Sequence, residues 1–162
     1  MTTSTKSEWL IPTGLITLSF IPVLAGTFRL IQLGGGAEIT QENARFFANP
    51  IPAVMHIISA TIYCVLGAIQ FAPRFRSRKP NWHRIAGIVV VFCGLIAALT
   101  GLWMAQFYPR PQFDGTVLYA IRMLVGSAMV LFIYLGMASI WRRDIQSHEA
   151  WMMRAFALGL GA

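Results

Sequence analysis

Long stretches of apolar residues alternate along this chain with polar stretches short enough to be turns. The apolar stretches run from about 10 to 31, 53 to 71, 85 to 104 and 116 to 140, and a fifth opens near 150 and continues to 162. Each of the first four is close to the roughly 20 residues that carry a helix across a hydrocarbon core about 30 Å thick. The fifth holds only enough residues for about 18 Å of helix, too short to cross. It reads as the start of a span in a chain that continues past Ala162. The predicted architecture is all-α: a polytopic transmembrane helix bundle of four full spans plus the start of a fifth, forming a single transmembrane domain over 1–162.

Composition supports this solvent. Of 162 residues, 56% are hydrophobic and 12% charged, and the mean hydropathy is +0.61. A soluble domain carries roughly 25% charged residues. The first stretch is longer than the h-region of a signal peptide and has no small-x-small cleavage site after it. Pro22 near its middle predicts a kink. Cys64 and Cys93 fall in mid-span, where they read as small packing residues and not as a disulfide.

The net charge of +7 would suit nucleic acid if it were clustered on one face, but its distribution fits the positive-inside rule instead. With the N-terminus in the cytoplasm, that side collects Lys6, Arg74, Arg76, Arg78, Lys79, Arg84, Arg142, Arg143 and Arg154. The other side holds Arg29, Arg45, Arg110 and Arg122. Nine against four sets the expected orientation. The partner implied is the lipid bilayer, with "RFRSRKP" facing anionic headgroups; no nucleic-acid partner is expected. Trp9, Trp82, Trp103, Trp141 and Trp151 fall at predicted span ends, where indole rings anchor. The longest connection, 32–52, carries a glycine run and paired prolines, and its "FFANPIP" segment is expected to form an amphipathic lip at the outer interface.

The third stretch has a small-residue face, with Gly87, Gly94 and Gly101 at intervals of seven. Such a face lets helix backbones approach closely in lipid, and it predicts a central helix. A groove for a flat cofactor or lipid tail would use the same residues.

Few polar residues lie near the spans. His83 in "KPNWHRIAG" and His148 in "QSHEAWMMRA" each open a predicted helix at the same depth, beside Arg84 and Arg154 and near Trp82 and Trp151. Helix N-termini present unpaired N–H groups and a partial positive charge. Three readings stand: interfacial histidines bonded to phosphate or helix-end carbonyls, a cytoplasmic-leaflet site for a lipid or quinone headgroup, or bis-histidine ligation of a haem b iron by His83 and His148. The shared-site versions need the third and fifth spans to be neighbours.

His56 and Arg122 lie towards the outer ends of the second and fourth spans, where an ionisable group either marks a functional site or snorkels to headgroups. His56 precedes His83 by 27 residues and Arg122 precedes His148 by 26. That suggests two parallel hairpin repeats, an arrangement that places transporter sites at the repeat interface. All six acidic residues lie in loops or at helix ends, which argues against a carboxylate-driven ion transporter. No nucleophile elbow, zinc-protease helix, c-type haem motif or phosphate loop is present.

The blocks "HIISATIYCVLGAIQFAPRFRSRKPNWHRIAG", "LYAIRMLVGSAM" and "HEAWMMRAFALGLGA" resemble a bacterial family of predicted membrane proteins, domain-of-unknown-function family 2306. The resemblance covers about 52–162. It implies a multi-span protein of a bacterial cytoplasmic membrane, with His56, His83, Arg122, His148 and Arg154 at motif positions and further spans after the last block. The second block reads His148-Glu149 where the family pattern has His-Arg or His-Lys. The resemblance implies no activity. The expected function is binding of a lipid-soluble ligand, a quinone or lipid headgroup, by His83, Arg84, His148, Arg154, His56 and Arg122, with a redox cofactor (haem b or quinone) as one form of it. The alternatives are a non-catalytic subunit within a larger membrane complex and a single-haem b-type electron carrier.

Overall fold

The computed structural model describes residues 5–71, 78–111 and 114–161. In chain order the helices are α1 (Thr5–Gly34), α2 (Ala44–Ala48), α3 (Pro50–Gln70), α4 (Pro80–Phe107), α5 (Thr116–Trp141) and α6 (Ile145–Gly161). Four of them, α1, α3, α4 and α5, are long and apolar enough to cross a membrane. The protein is an all-α membrane bundle.

The helix starts follow from backbone chemistry. Pro50 and Pro80 occupy the first turns of α3 and α4, where the N–H that proline lacks has no helical partner to lose. Helix α4 therefore begins at Pro80, ahead of the apolar stretch, and takes His83 and Arg84 into its first turn. Helix α6 likewise begins at Ile145 and not near 150, because Asp144 caps it: Oδ1 accepts the backbone N–H of Ser147 at 3.0 Å. The expected lip is the short helix α2, which covers only part of "FFANPIP"; its Pro50 already belongs to α3. Helix α1 runs through Pro22 without a break.

Polar side chains within the helices are satisfied locally. Thr17, Ser19, Thr27, Ser59 and Ser139 each donate a hydroxyl to the carbonyl four residues earlier, at 2.5–2.9 Å. In lipid, where water cannot satisfy them, this local bond lets hydroxyls remain in apolar helices.

Helices α3 and α4 form one antiparallel hairpin and α5 and α6 another; α4 also packs on α5, and α6 touches α3. The core lies where these four meet, with Tyr63, Ala68, Val90, Met129, Ile133 and Phe156 buried in it. Helix α1 lies outside against α3, with only 6% of its apolar window buried. It approaches α3 closely at Gly26, where a Cβ would come within 2.8 Å of Ile57 Cγ2. The close packing of the third and fifth spans that the shared-site readings need is not found among the described residues: α6 packs on α5 and α3, and α4 sits diagonally across from it. Short connections make sequential helices neighbours, so the four-helix ring closes between first and last, which leaves α4 and α6 as a diagonal pair.

The glycine face of α4 packs as expected, on α3. A Cβ at Gly94 would lie 2.6 Å from Tyr63 Cε2, and one at Gly101 3.3 Å from His56 Cε1. At Gly87 the nearest atom is Gln70 Oε1 at 3.9 Å, an ordinary contact. Both cysteines are free and buried.

Candidate functional site

The two hairpins share a register. His56 and Arg122 are the seventh residues of α3 and α5, and His83 and His148 the fourth residues of α4 and α6. Tyr63 and Met129 correspond as fourteenth residues, Gly94 and Gly159 as fifteenth. Two like hairpins packed around a common centre put His56 and Arg122 at one end of the bundle and His83 and His148 at the other.

A cleft of ≈ 540 Å³ occupies the His56/Arg122 end. Its lining comes from every helix, with α3, α4 and α5 contributing most. Towards the bundle centre the walls are small or apolar: Ala60, Ala98, Gly101, Val125, Gly126 and Met129. At the rim stand Arg45, Arg110 and Arg122, with one carboxylate, Asp114, among the described residues. Arg122 Nη1 donates to Asp114 Oδ2, and this bond holds the Asp114 carboxyl below the usual carboxylate range.

The other rim cations are steered by aromatic rings. Arg110 lies 4.7 Å from the Tyr119 ring centre, and Tyr119 donates its hydroxyl to Gln106 Oε1 at 2.6 Å. Arg45 and Arg29 both approach the Phe46 ring, at 4.7 and 4.5 Å. Phe46 meets Tyr108 edge-on, and Tyr108 donates its hydroxyl to the Asn49 carbonyl at 2.5 Å, tying the end of α4 to the start of α3. Partial burial lowers the Arg45 pKa, and among the described residues its Nε has no hydrogen-bond partner.

His56 is fixed by α4. Its Nδ1 lies 2.8 Å from the Ala97 carbonyl oxygen and 3.3 Å from Thr100 Oγ1. A carbonyl only accepts, so Nδ1 carries the proton, and in the neutral form of the ring Nε2 is an acceptor. Gly101 provides the room in which the ring lies.

The opposite end is arranged differently. His148 bonds through Nδ1 to the Gly136 carbonyl of α5 at 2.8 Å, closing its own hairpin. Arg154 lies 4.5 Å from the Trp151 ring centre, and Trp151 stacks at 5.2 Å on Phe132. His83 is half-buried and Arg84 exposed. None of His83, Arg84, His148 or Arg154 lines the cleft. The structure thus brings His56 and Arg122 together around one cavity, and it sets His83 and His148 on diagonal helices. Among the described residues no group of three or more His, Cys, Asp or Glu side chains is placed to hold a metal ion.

Sequence reasoning missed Arg45, Asp114 and Tyr63. Tyr63 had a faint signal: with His56, Ala60, Cys64 and Gly67 it falls on one face of α3 at helical spacing. Arg45 and Asp114 come from connections, whose return to the bundle carries no periodic mark.

No curated protein and no solved structure matches the chain. One family model, described as a predicted membrane protein, matches residues 53–162, which take in both hairpins apart from the first three residues of α3 and all the candidate residues except the rim arginine Arg45. The chain belongs to that family of predicted membrane proteins, DUF2306.

Proposed function

We propose that this protein binds a lipid-soluble ligand with an anionic or carbonyl head, a quinone or a lipid headgroup, in the cleft at the His56/Arg122 end. The observation that carries this reading is the polarity of the cleft: guanidinium groups at one end and small apolar walls at the other, within a membrane bundle. A guanidinium donates to carbonyl or anionic oxygens, while apolar walls accept a ring or chain; ligand sites commonly join a mostly apolar lining to a few placed polar groups. The position at the junction of two parallel hairpins supports the same reading. His83, Arg84, His148 and Arg154 then serve the other end of the bundle, holding helix starts and meeting headgroups. We place that end in the cytoplasm of a bacterial cell, from the lysine and arginine bias.

The test is binding to protein purified in a mild detergent, with decyl-benzoquinone and phosphatidylglycerol as separate probes in native mass spectrometry. Wild type retains at least one probe, and Arg122→Gln and Arg45→Gln each lose about tenfold in affinity, the worth of a charged hydrogen bond. Retention of neither probe by wild type overturns the reading and favours a non-catalytic subunit that packs against a larger membrane complex.

A further inference from the structure

The Tyr63 side chain is 1% exposed. Its ring is clamped by two corresponding glycines: a Cβ at Gly94 would stand 2.6 Å from Cε2, and one at Gly159 2.8 Å from Cε1. Phe156 closes on the ring at 5.4 Å. In this clamp the hydroxyl has no hydrogen-bond partner among the described residues, although Tyr63 lines the cleft that His56 and Arg122 also line. A phenylalanine would fill the clamp equally well. An unmet hydroxyl in an apolar interior is costly, and buried polar groups are nearly always paired.

Side chains on a helix lean towards its N-terminus, so the phenol points from the clamp towards the His56 end of the cleft. Tyr63 and His56 are two turns apart on one face of α3, about 10 Å along the axis. The cleft therefore offers polar groups at two depths, with small apolar walls between them. At the rim stand Arg45, Arg122 and the acceptor Nε2 of His56; at the floor is the phenol. A lipid headgroup carries its polar atoms together at one end and would leave the floor unmet. A ring with oxygens on opposite edges reaches both.

Resting on the ligand-binding reading above, we infer that Tyr63 is the deep contact of the ligand and that the ligand is a para-quinone or its quinol. One ring oxygen accepts from the rim arginines and, as a quinol hydroxyl, also donates to His56 Nε2; the other meets the Tyr63 hydroxyl, which donates to a carbonyl or accepts from a quinol.

Tyr63→Phe tests this with two readouts on the purified protein. Without ligand, loss of an unmet hydroxyl raises the melting temperature or leaves it unchanged. With decyl-benzoquinone, affinity falls roughly tenfold, the worth of one hydrogen bond in a dry site, while phosphatidylglycerol binding stays at the wild-type level. If Tyr63→Phe binds the quinone as wild type does while Arg122→Gln does not, the Tyr63 assignment fails and the cleft reading stands. If wild type binds phosphatidylglycerol but not the quinone, the quinone assignment fails alone. If wild type binds neither, both fail. A lower melting temperature in Tyr63→Phe with unchanged quinone affinity shows that the hydroxyl serves a buried water, which also overturns the inference.

Discussion

Arg143, in the turn between α5 and α6, is the one non-glycine among the described residues with a positive φ, at 60°. The left-handed region costs an L-residue roughly 1 kcal/mol that glycine does not incur. Arg143→Gly is therefore expected to stabilise the protein by about that amount, read as a higher melting temperature in detergent. Next to it, Asp144 has its pKa held down by its bonds to Ser147, as Asp114 has by its bond to Arg122. A folded-state pKa below the unfolded value gives stability that is fully present above the ordinary carboxylate value and is lost as pH falls through the lowered one. Melting temperature should hold from neutrality to about pH 5 and drop in stronger acid, with a shallower acid limb in Asp114→Asn and Asp144→Asn. An unchanged limb in both variants would show that neither bond forms in solution. The sequence marked the histidines because imidazole is rare in apolar stretches, yet it could not show their partners. His56 and His148 bond to backbone carbonyls of Ala97 and Gly136, and a carbonyl acceptor leaves no trace in residue identity.

The elements themselves were the legible part. Four uninterrupted apolar runs have a single economical reading, and all four are helices of spanning length. Their ends were less legible, because prolines and caps outside the apolar run decide where the backbone turns helical. Pro80 and Asp144 moved α4 and α6 towards their N-termini by about a turn relative to the hydropathy edge. The heptad of glycines on α4 was correctly read as a packing face, but its target, the Tyr63 and His56 face of α3, required the fold. Gly94→Leu is the sharpest probe at this scale. With Tyr63 ring carbons at 2.6 and 2.8 Å and Ile133 Cδ1 at 3.1 Å from even a Cβ, the larger side chain should destabilise by about 3 kcal/mol through overpacking. Gly87→Leu should cost far less, since only Gln70 Oε1 comes near. Equal melting temperatures for the two variants would contradict the α3–α4 interface.

For the whole molecule, the match in spacing between His56–His83 and Arg122–His148 foretold two like hairpins, and the shared helix positions agree with that. Which helices would be diagonal was not legible, since it depends on how the ring of four closes and not on any segment. The cleft lies at the opposite end of the bundle from the site expected around His83 and His148. Orientation in the bilayer is testable with single added cysteines, because Cys64 and Cys93 are buried. Gly35→Cys and Arg78→Cys, both at exposed positions, should react with a membrane-impermeant maleimide from opposite sides, Arg78→Cys from the cytoplasm. Labelling from one side would discard the bundle topology.

The central claim, a ligand cleft at the His56/Arg122 end, is most directly measured by photolabelling. A decyl-quinone bearing an azide, irradiated with the purified protein and followed by peptide mapping, should mark 97–107 of α4 and 118–129 of α5, and excess decyl-benzoquinone should suppress the labelling. Label concentrated on 80–90 and 145–154 would place the site at the opposite end and contradict the account.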